Sequence, residues 1–243
     1  MSQPLLPVAI LAGGLAARLR PLTEDRPKAL VEVAGEPFIA HQLRLLRSQG
    51  IRHVVICAGY LGEMIEGFVE DGRTYGLDVR YSYDWPELLG TAGALKKALP
   101  LLGDAFFVLY GDSLLPCSYA PVQDCFLGSA CLGLMTVYRN EGHWDASNVE
   151  FEDGRILAYS KQQRTAAMRY IDYGLGMLRQ AAFDELANDD RCDLARLYQQ
   201  LLAREQLAAY EAHQRFYEVG SFGGIEETAR YLASRKDTGH AVH

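Results

Sequence analysis

The residues best suited to chemistry lie close together near the start of the chain. A short apolar run, Val8 to Ala12, ends in Gly13 and Gly14, and Arg18, Arg20, Arg26 and Lys28 follow within fourteen residues of Gly14. Glycines let backbone N–H groups turn toward an anion with no side chain in the way. Fixed cations beside such a turn suit a polyphosphate, and the end of a buried strand is where open α/β sheets bind ligands. A surface loop carrying solvated arginines fits the same residues. Two phosphate-binding patterns are excluded. GxxxxGK[ST] is absent from this segment, and GxGxxG fails because position 16 is Ala and position 18 is Arg.

A second group is acidic. Gly111-Asp112 follows the most hydrophobic stretch of the chain, Ala105 to Tyr110. A carboxylate at the C-terminal end of a strand holds Mg²⁺ against phosphate oxygens, or else caps the next turn. Other chemistries find little footing. The five cysteines are odd in number and contain no CxxC pair, which argues against a zinc site or a disulfide framework and fits a reducing cytoplasm. His41, His53, His143 and His213 lack metal-ligand spacing. There is no GxSxG nucleophile elbow.

The elements that must position these residues alternate in the first half. Val8 to Ala12, Val54 to Ala58, Leu77 to Tyr83 and Ala105 to Tyr110 read as strands. Between them, a helix opens at Pro37 and closes at Gly50, a second has Met64, Ile65, Phe68 and Val69 on one face, and a third is capped by Thr91. That order predicts a mainly parallel, Rossmann-like sheet sandwiched by helices. The second half is richer in strands: Leu132 to Tyr138, Ser147 to Phe151, Ile156 to Ser160 and Ile171 to Leu178, with a hairpin turn at Glu152-Asp153-Gly154-Arg155. A helix with Leu194, Leu197 and Leu201 on one face follows, then a strand over Phe216 to Val219 and a last helix with Ile225, Ala229 and Leu232. The expected organisation is a single α/β domain over 1–235, with a nucleotide-binding half (1–115), a substrate-shaping half (116–235) and a flexible tail (236–243).

Composition agrees with one such domain. The chain has 243 residues, 49% hydrophobic and 23% charged, with a net charge of -7. Duplex nucleic acid is excluded by that charge, because its phosphates demand clustered Lys and Arg. A small anion is not, since a local cluster binds it whatever the global sign. Pro4, Pro7 and the two glycines break the first apolar run, so no signal peptide is expected. No stretch approaches the ~20 apolar residues of a membrane span. The expected location is cytoplasmic, and the oligomeric state is not legible.

The segment from Leu11 to Pro37 resembles the signature loop of the sugar-1-phosphate nucleotidylyltransferases, approximately AGGxGTRLxPLTxxxPKxLxxVxGKP. Ala12, Gly13, Gly14, Arg18, Leu19, Pro21, Leu22, Thr23, Pro27, Lys28, Leu30, Val33, Gly35 and Pro37 match in register. The resemblance runs to about Leu232 and implies the nucleotide-diphospho-sugar transferase type of α/β fold. It implies an enzyme that joins a nucleoside triphosphate (NTP) to a sugar 1-phosphate with Mg²⁺ and releases pyrophosphate. The backbone from Leu11 to Gly14 would cradle the nucleotide. Arg18 would hold the β- and γ-phosphates, and Lys28 would balance charge on the α-phosphate. The metal would fall to Asp112 and to Glu218, which stands where the family often has Asp.

Other segments extend the resemblance. Leu89-Gly-Thr-Ala-Gly-Ala-Leu95 matches the family's LGTAGAL, which implies that Gly90 and Thr91 approach the base or ribose; a helix N-terminus there also favours negative charge. Lys161 resembles the lysine that binds the sugar phosphate. Asn148 and Glu150 align with a sugar-contacting stretch, and Asp172 with Gly174 resembles the family's Ile-Asn-Ala-Gly segment, Asp replacing Asn. Ala16 and Ala17 depart from the usual Gly and Thr. Glu36 replaces the usual Lys, which reads as a surface change. Within the family, LGTAGALKKAL and YGDSLL resemble the short heptose 1-phosphate guanylyltransferases, with muramic acid 1-phosphate uridylyltransferases and phosphocholine cytidylyltransferases close behind. The rival readings are a nucleotide-sugar-binding regulatory protein without catalysis and a glycosyltransferase, against which the lack of a strand-end DxD counts.

Overall fold

The computed structural model describes residues 3–14, 19–186 and 191–238. Its first half contains β1 (Val8–Leu11), β2 (Glu32–Val33), β3 (Glu36–Pro37), α1 (Phe38–Gln49), β4 (His53–Ala58), α2 (Gly62–Val69), β5 (Asp78–Tyr83), α3 (Gly90–Leu102), β6 (Ala105–Tyr110) and β7 (Ser113–Leu114). The second contains α4 (Tyr119–Gly128), β8 (Gly133–Arg139), β9 (Val149–Glu152), β10 (Arg155–Tyr159), β11 (Tyr170–Arg179), α5 (Leu194–Ala203), β12 (Leu207–Ala212), β13 (Tyr217–Glu218) and α6 (Phe222–Thr238).

Both halves contribute to one nine-stranded sheet ordered β10-β9-β11-β6-β1-β4-β5, with β8 bridging β11 and β12. The strands β6, β1, β4 and β5 are parallel, as the βαβ alternation requires. The strand β11 returns antiparallel to β6. Side chains alternate between faces along each strand. Val8, Ile10, Phe107 and Leu109 meet the apolar sides of α1, α2 and α4. Ala9, Phe106 and Val108 meet α3 and α5. Each fully buried side chain of this size contributes about 1.5–3 kcal/mol relative to exposure. Parallel strands buried on both faces explain why β1, β4 and β6 are continuous apolar runs. A third, smaller core joins Val33, Phe38, Leu114 and Val219 to Ile225, Ala229 and Leu232 of α6. It sits under the two-residue strands β7 and β13, which pair with each other.

Several expectations are corrected. On α2, Ile65 and Val69 are buried while Met64 and Phe68 are 42% and 40% exposed. An i, i+4 pair defines one face, and its neighbours lie about 100° round the helix. The strand expected over Phe216 to Val219 is only the bridge Tyr217–Glu218. The helix α6 continues to Thr238, into the stretch read as a tail; residues 239–243 lie outside the described residues. The helix α4 and the strand β12, which pairs in parallel with β8, had no strong sequence signal. Glu36 is no idle surface residue: it pairs with Arg44 and lies 3.5 Å from His41 Nδ1, tying β3 to α1.

Candidate active site

Two adjacent parallel strands deliver the central residues. In β1 and β6, Leu11 is registered with Tyr110, so Ala12–Gly14 and Gly111–Asp112 leave the sheet side by side at its carboxyl edge. The Ala12 N–H donates to the Cys57 carbonyl at 2.9 Å, and the Gly111 N–H to the Leu11 carbonyl at 2.9 Å. Close backbone approach makes glycine necessary at two places. A Cβ on Gly111 would lie 2.7 Å from the Leu11 oxygen, and one on Gly59 2.7 Å from the Gly13 oxygen. Buried Gln42 on α1 donates to the carbonyls of Tyr110 (3.0 Å) and Ser113 (2.7 Å), clamping the turn that carries Asp112.

Lys28 begins a single 3-10 turn, Lys28–Leu30, entered through Pro27 and anchored by buried Ala29. Its Nζ donates to Asp112 Oδ2 at 3.0 Å. Asp112 Oδ1 accepts from Ser113 Oγ at 3.3 Å. The Asp112 carbonyl accepts the Val219 N–H at 2.9 Å, and Glu218 pairs with Ser113 across the β7–β13 bridge. Burial raises the Glu218 carboxyl above its ordinary pKa, and the Asp112 charge raises it further; the Gly220 N–H and Lys28 act the other way. The two acids therefore share one electrostatic neighbourhood.

A cavity of about 420 Å³ opens at this edge. Leu11, Ala12, Gly13, Gly14, Lys28, Gly90, Thr91 and Asp112, all picked out in the sequence, line it. Arg18 lies outside the described residues, as do Ala16 and Ala17. The start of α3 differs from expectation. The helix begins at Gly90, and the Thr91 hydroxyl accepts the Leu194 N–H at 2.7 Å, capping α5 instead of α3. The Ala92 and Gly93 N–H groups both donate to the Cys192 carbonyl. These two of the helix's first four N–H groups are therefore engaged within the protein. Gly90 has φ +76°, and a Cβ on it would lie 2.7 Å from that same Cys192 oxygen.

The expected sugar-side residues lie off this cavity but join it through Tyr110, one of its walls. Lys161 Nζ stands 5.2 Å from the Tyr110 ring centroid. In β11 the register shifts between Asp172 and Gly176, and Gly174 has φ +95° with Tyr110 and Ser113 within 3.5 Å of its Cβ position. Such bulges re-aim side chains next to sites. Asp172 accepts from the Tyr159 hydroxyl (3.2 Å) and the Gly174 N–H (3.1 Å), and its own N–H donates to Asn148 Oδ1 (2.9 Å). Half-buried Glu150 lies on β9 opposite Ala158, two positions from Asn148.

Sequence reasoning missed Asp84, Tyr110, Arg191 and Asp193, which also line the cavity. Asp84 is 6% exposed, and its Oδ1 has no hydrogen-bond partner among the described residues, while Oδ2 accepts the Leu89 N–H at 3.1 Å. Burial raises its pKa. Cys57 also faces the cavity, with its thiol pushed up to about 12 by burial and then by Asp84, so it stays neutral at neutral pH. Among the described residues no helix is long and apolar enough to cross a membrane.

A glycine turn, a lysine and two acids thus meet at the carboxyl edge of a parallel sheet, where open α/β proteins bind ligands. The chain belongs to the nucleotidyl transferase family, whose model matches residues 8–221. It is 40% identical over 181 residues to the N-acetylmuramate alpha-1-phosphate uridylyltransferase of Caulobacter vibrioides, covering 70% of this chain and 75% of that protein. To the protein of the same name from Neisseria meningitidis it is 44% identical over 106 residues, covering 43% of this chain and 46% of that protein, under half of the relative's length. The structure of the inositol-1-phosphate CTP transferase from T. maritima superposes with a TM-score of 0.78 at 19% identity, covering 100% of both chains, a likeness of fold.

Proposed function

We propose that this protein transfers a nucleoside monophosphate from an NTP to a sugar 1-phosphate, giving a nucleotide sugar and pyrophosphate. The observation that carries the reading is the placement of Lys28 and Asp112 together in the wall of a glycine-turned cavity. An oxygen of the sugar phosphate attacks the α-phosphorus in line, forming a new P–O–P bridge. The bond from the α-phosphorus to the bridging oxygen breaks, and that oxygen leaves with the pyrophosphate. The attacker is already ionised at neutral pH, so no side-chain nucleophile is needed. Lys28 offsets charge growing on the α-phosphate, Arg18 holds the leaving phosphates, and Lys161 holds the acceptor phosphate. Catalysis of this kind is positioning and charge stabilisation.

The donor set suits Mg²⁺, which typically takes one or two carboxylates together with substrate phosphates. Asp112 and Glu218 are two such carboxylates, close enough for one charge to raise the pKa of the other. Among the described residues no group of three or more His, Cys, Asp and Glu competes with them. Held there, the ion would neutralise phosphate charge.

The two uridylyltransferase relatives make UTP with N-acetylmuramate 1-phosphate the first pair to assay. The test is a pyrophosphate-release screen of four triphosphates against phosphocholine and a panel of sugar 1-phosphates, including mannose and heptose phosphates. Release that needs both substrates supports the proposal. Triphosphate binding without release for any acceptor selects the binding-protein reading, and release with phosphocholine alone selects the cytidylyltransferase reading.

A further inference from the structure

A ladder of rings and cations beside α6 plays no part in the reaction described above. Arg215 lies at its centre. Its guanidinium carbon is 3.3 Å from the Trp144 ring centroid and 4.9 Å from that of Tyr217. A terminal nitrogen of the same group pairs with Glu227 on α6. Tyr217 also stacks on Tyr231 of α6, with centroids 4.0 Å apart and planes 18° apart. The Arg215 Nε is buried with no hydrogen-bond partner among the described residues. The guanidinium is held by stacking on both rings together with its ion pair.

The ladder joins two segments that matter to the site. Trp144 belongs to the turn between β8 and β9, which leads directly into Asn148. Asn140 folds that turn: its Oδ1 accepts the Trp144 N–H, and its Nδ2 donates to the Asp145 carbonyl and to Ser147 Oγ. Tyr217 immediately precedes Glu218. A two-residue strand has little backbone bonding to fix it, and here Val219 N–H to Asp112 and the Thr228 hydroxyl to the Glu218 carbonyl are its main supports. Successive side chains of an extended strand point to opposite faces. The Glu218 carboxylate accepts the Gly220 N–H at 3.1 Å and the Ser221 hydroxyl at 3.3 Å, and packing of Tyr217 fixes the strand from which it projects.

We propose that Arg215 is a positioning residue: stacked between Trp144 and Tyr217, it locks the turn entering Asn148 to the strand bearing Glu218, so that Glu218 is held against Asp112. Arginine suits the task because its planar guanidinium stacks on rings and pairs with a carboxylate at once, which a lysine ammonium cannot do equally. The inference rests on the metal assignment made under the proposed function.

The test measures Mn²⁺ affinity of the full chain by electron paramagnetic resonance, with and without an unreactive triphosphate analogue, beside steady-state kinetics. The variants are Arg215→Gln, Arg215→Lys, Trp144→Ala and, as reference, Glu218→Gln. Groups that orient metal ligands typically change affinity by about 10- to 100-fold when removed, and Arg215→Gln is expected in that range. The KM for the sugar 1-phosphate should rise with it, and so should that for the triphosphate, whose phosphates share the metal. Arg215→Lys keeps the charge and should recover only part of the loss. Trp144→Ala removes an exposed ring and no charge, and should shift both quantities in the same direction; it decides the matter if Arg215→Gln does not fold. Wild-type Mn²⁺ affinity and acceptor KM in the foldable variants would overturn the inference while leaving the reaction intact. Wild-type Mn²⁺ affinity in Glu218→Gln would instead overturn the metal assignment, and the inference with it.

Discussion

The Lys28 ammonium donates to the Asp112 carboxylate at 3.0 Å, although 84 positions of chain separate the two residues. The contact exists because β1 and β6 are adjacent and parallel, and because the 3-10 turn after Pro27 returns to the edge where both strands end. Each partner is only partly exposed, so the pair keeps access to a ligand while holding its geometry.

Removing either charge should cripple turnover without unfolding the chain. Loss of one preorganised electrostatic group commonly costs about 10²–10³ in kcat, and Asp112→Asn and Lys28→Ala are each expected in that range. Pyrophosphate release together with a thermal melt checks this. Near-normal turnover in either variant would refute the assigned roles.

Glu218 makes stability depend on pH in a stated direction. Its folded pKa lies above the ordinary glutamate value of 4.5, so the folded state binds the proton more tightly than the unfolded chain. Its contribution is fully present below about 4.5 and is lost as pH rises through the folded value. Glu218→Gln should therefore melt higher than wild type at neutral pH, with the difference closing in acid, while its turnover falls. A Tm series from pH 4 to 8 decides; a lower Tm for the variant at neutral pH contradicts the argument.

Gly59 carries a packing prediction. A methyl group there would lie 2.7 Å from the Gly13 carbonyl oxygen and 3.0 Å from Asp84 Oδ1. Overpacking of this kind costs about 1–3 kcal/mol. Gly59→Ala should be destabilised by that amount in urea unfolding, and its triphosphate affinity should fall because the glycine turn must shift. Unchanged stability would mean the loop is looser than its contacts imply.

Asp84 should act on triphosphate choice through the cavity wall. One oxygen is fixed by the Leu89 N–H and the other is buried without a partner among the described residues, beside Gly13 and Gly59, and an Asn amide, which donates as well as accepts, would shift that wall. Asp84→Asn should compress the ratio of kcat/KM values between the preferred triphosphate and its competitors, with the acceptor KM little changed. An unaltered ratio would remove Asp84 from base selection.

Much of the cavity was legible because its residues obey local rules. An apolar run ending in two glycines marks a strand edge, and Asp112 follows the most apolar strand of the chain. Asp84 was not, because β5 is half-exposed and the burial of the residue after it is imposed by Gly13 and Gly59 in the segments that follow β1 and β4. Thr91 looked like a cap for its own helix, yet its hydroxyl serves Leu194, 103 positions away. The strand β12, Leu-Ala-Ala-Tyr-Glu-Ala, lacks alternation because its middle is only half-buried at the sheet edge. The Arg215 ladder depends on a turn, a strand and a helix meeting, which no spacing along the chain displays.

The central claim is that the triphosphate reacts between Lys28 and Asp112. A crystal structure with Mg²⁺ and an unreactive triphosphate analogue tests it directly, by the distance from Lys28 Nζ to the nearest α-phosphate oxygen. The predicted result is a hydrogen-bond distance of about 3 Å, with the base near Asp84 and Asp112 on the metal. A nucleotide bound outside this cavity, or Lys28 still turned away from the α-phosphate, would contradict it.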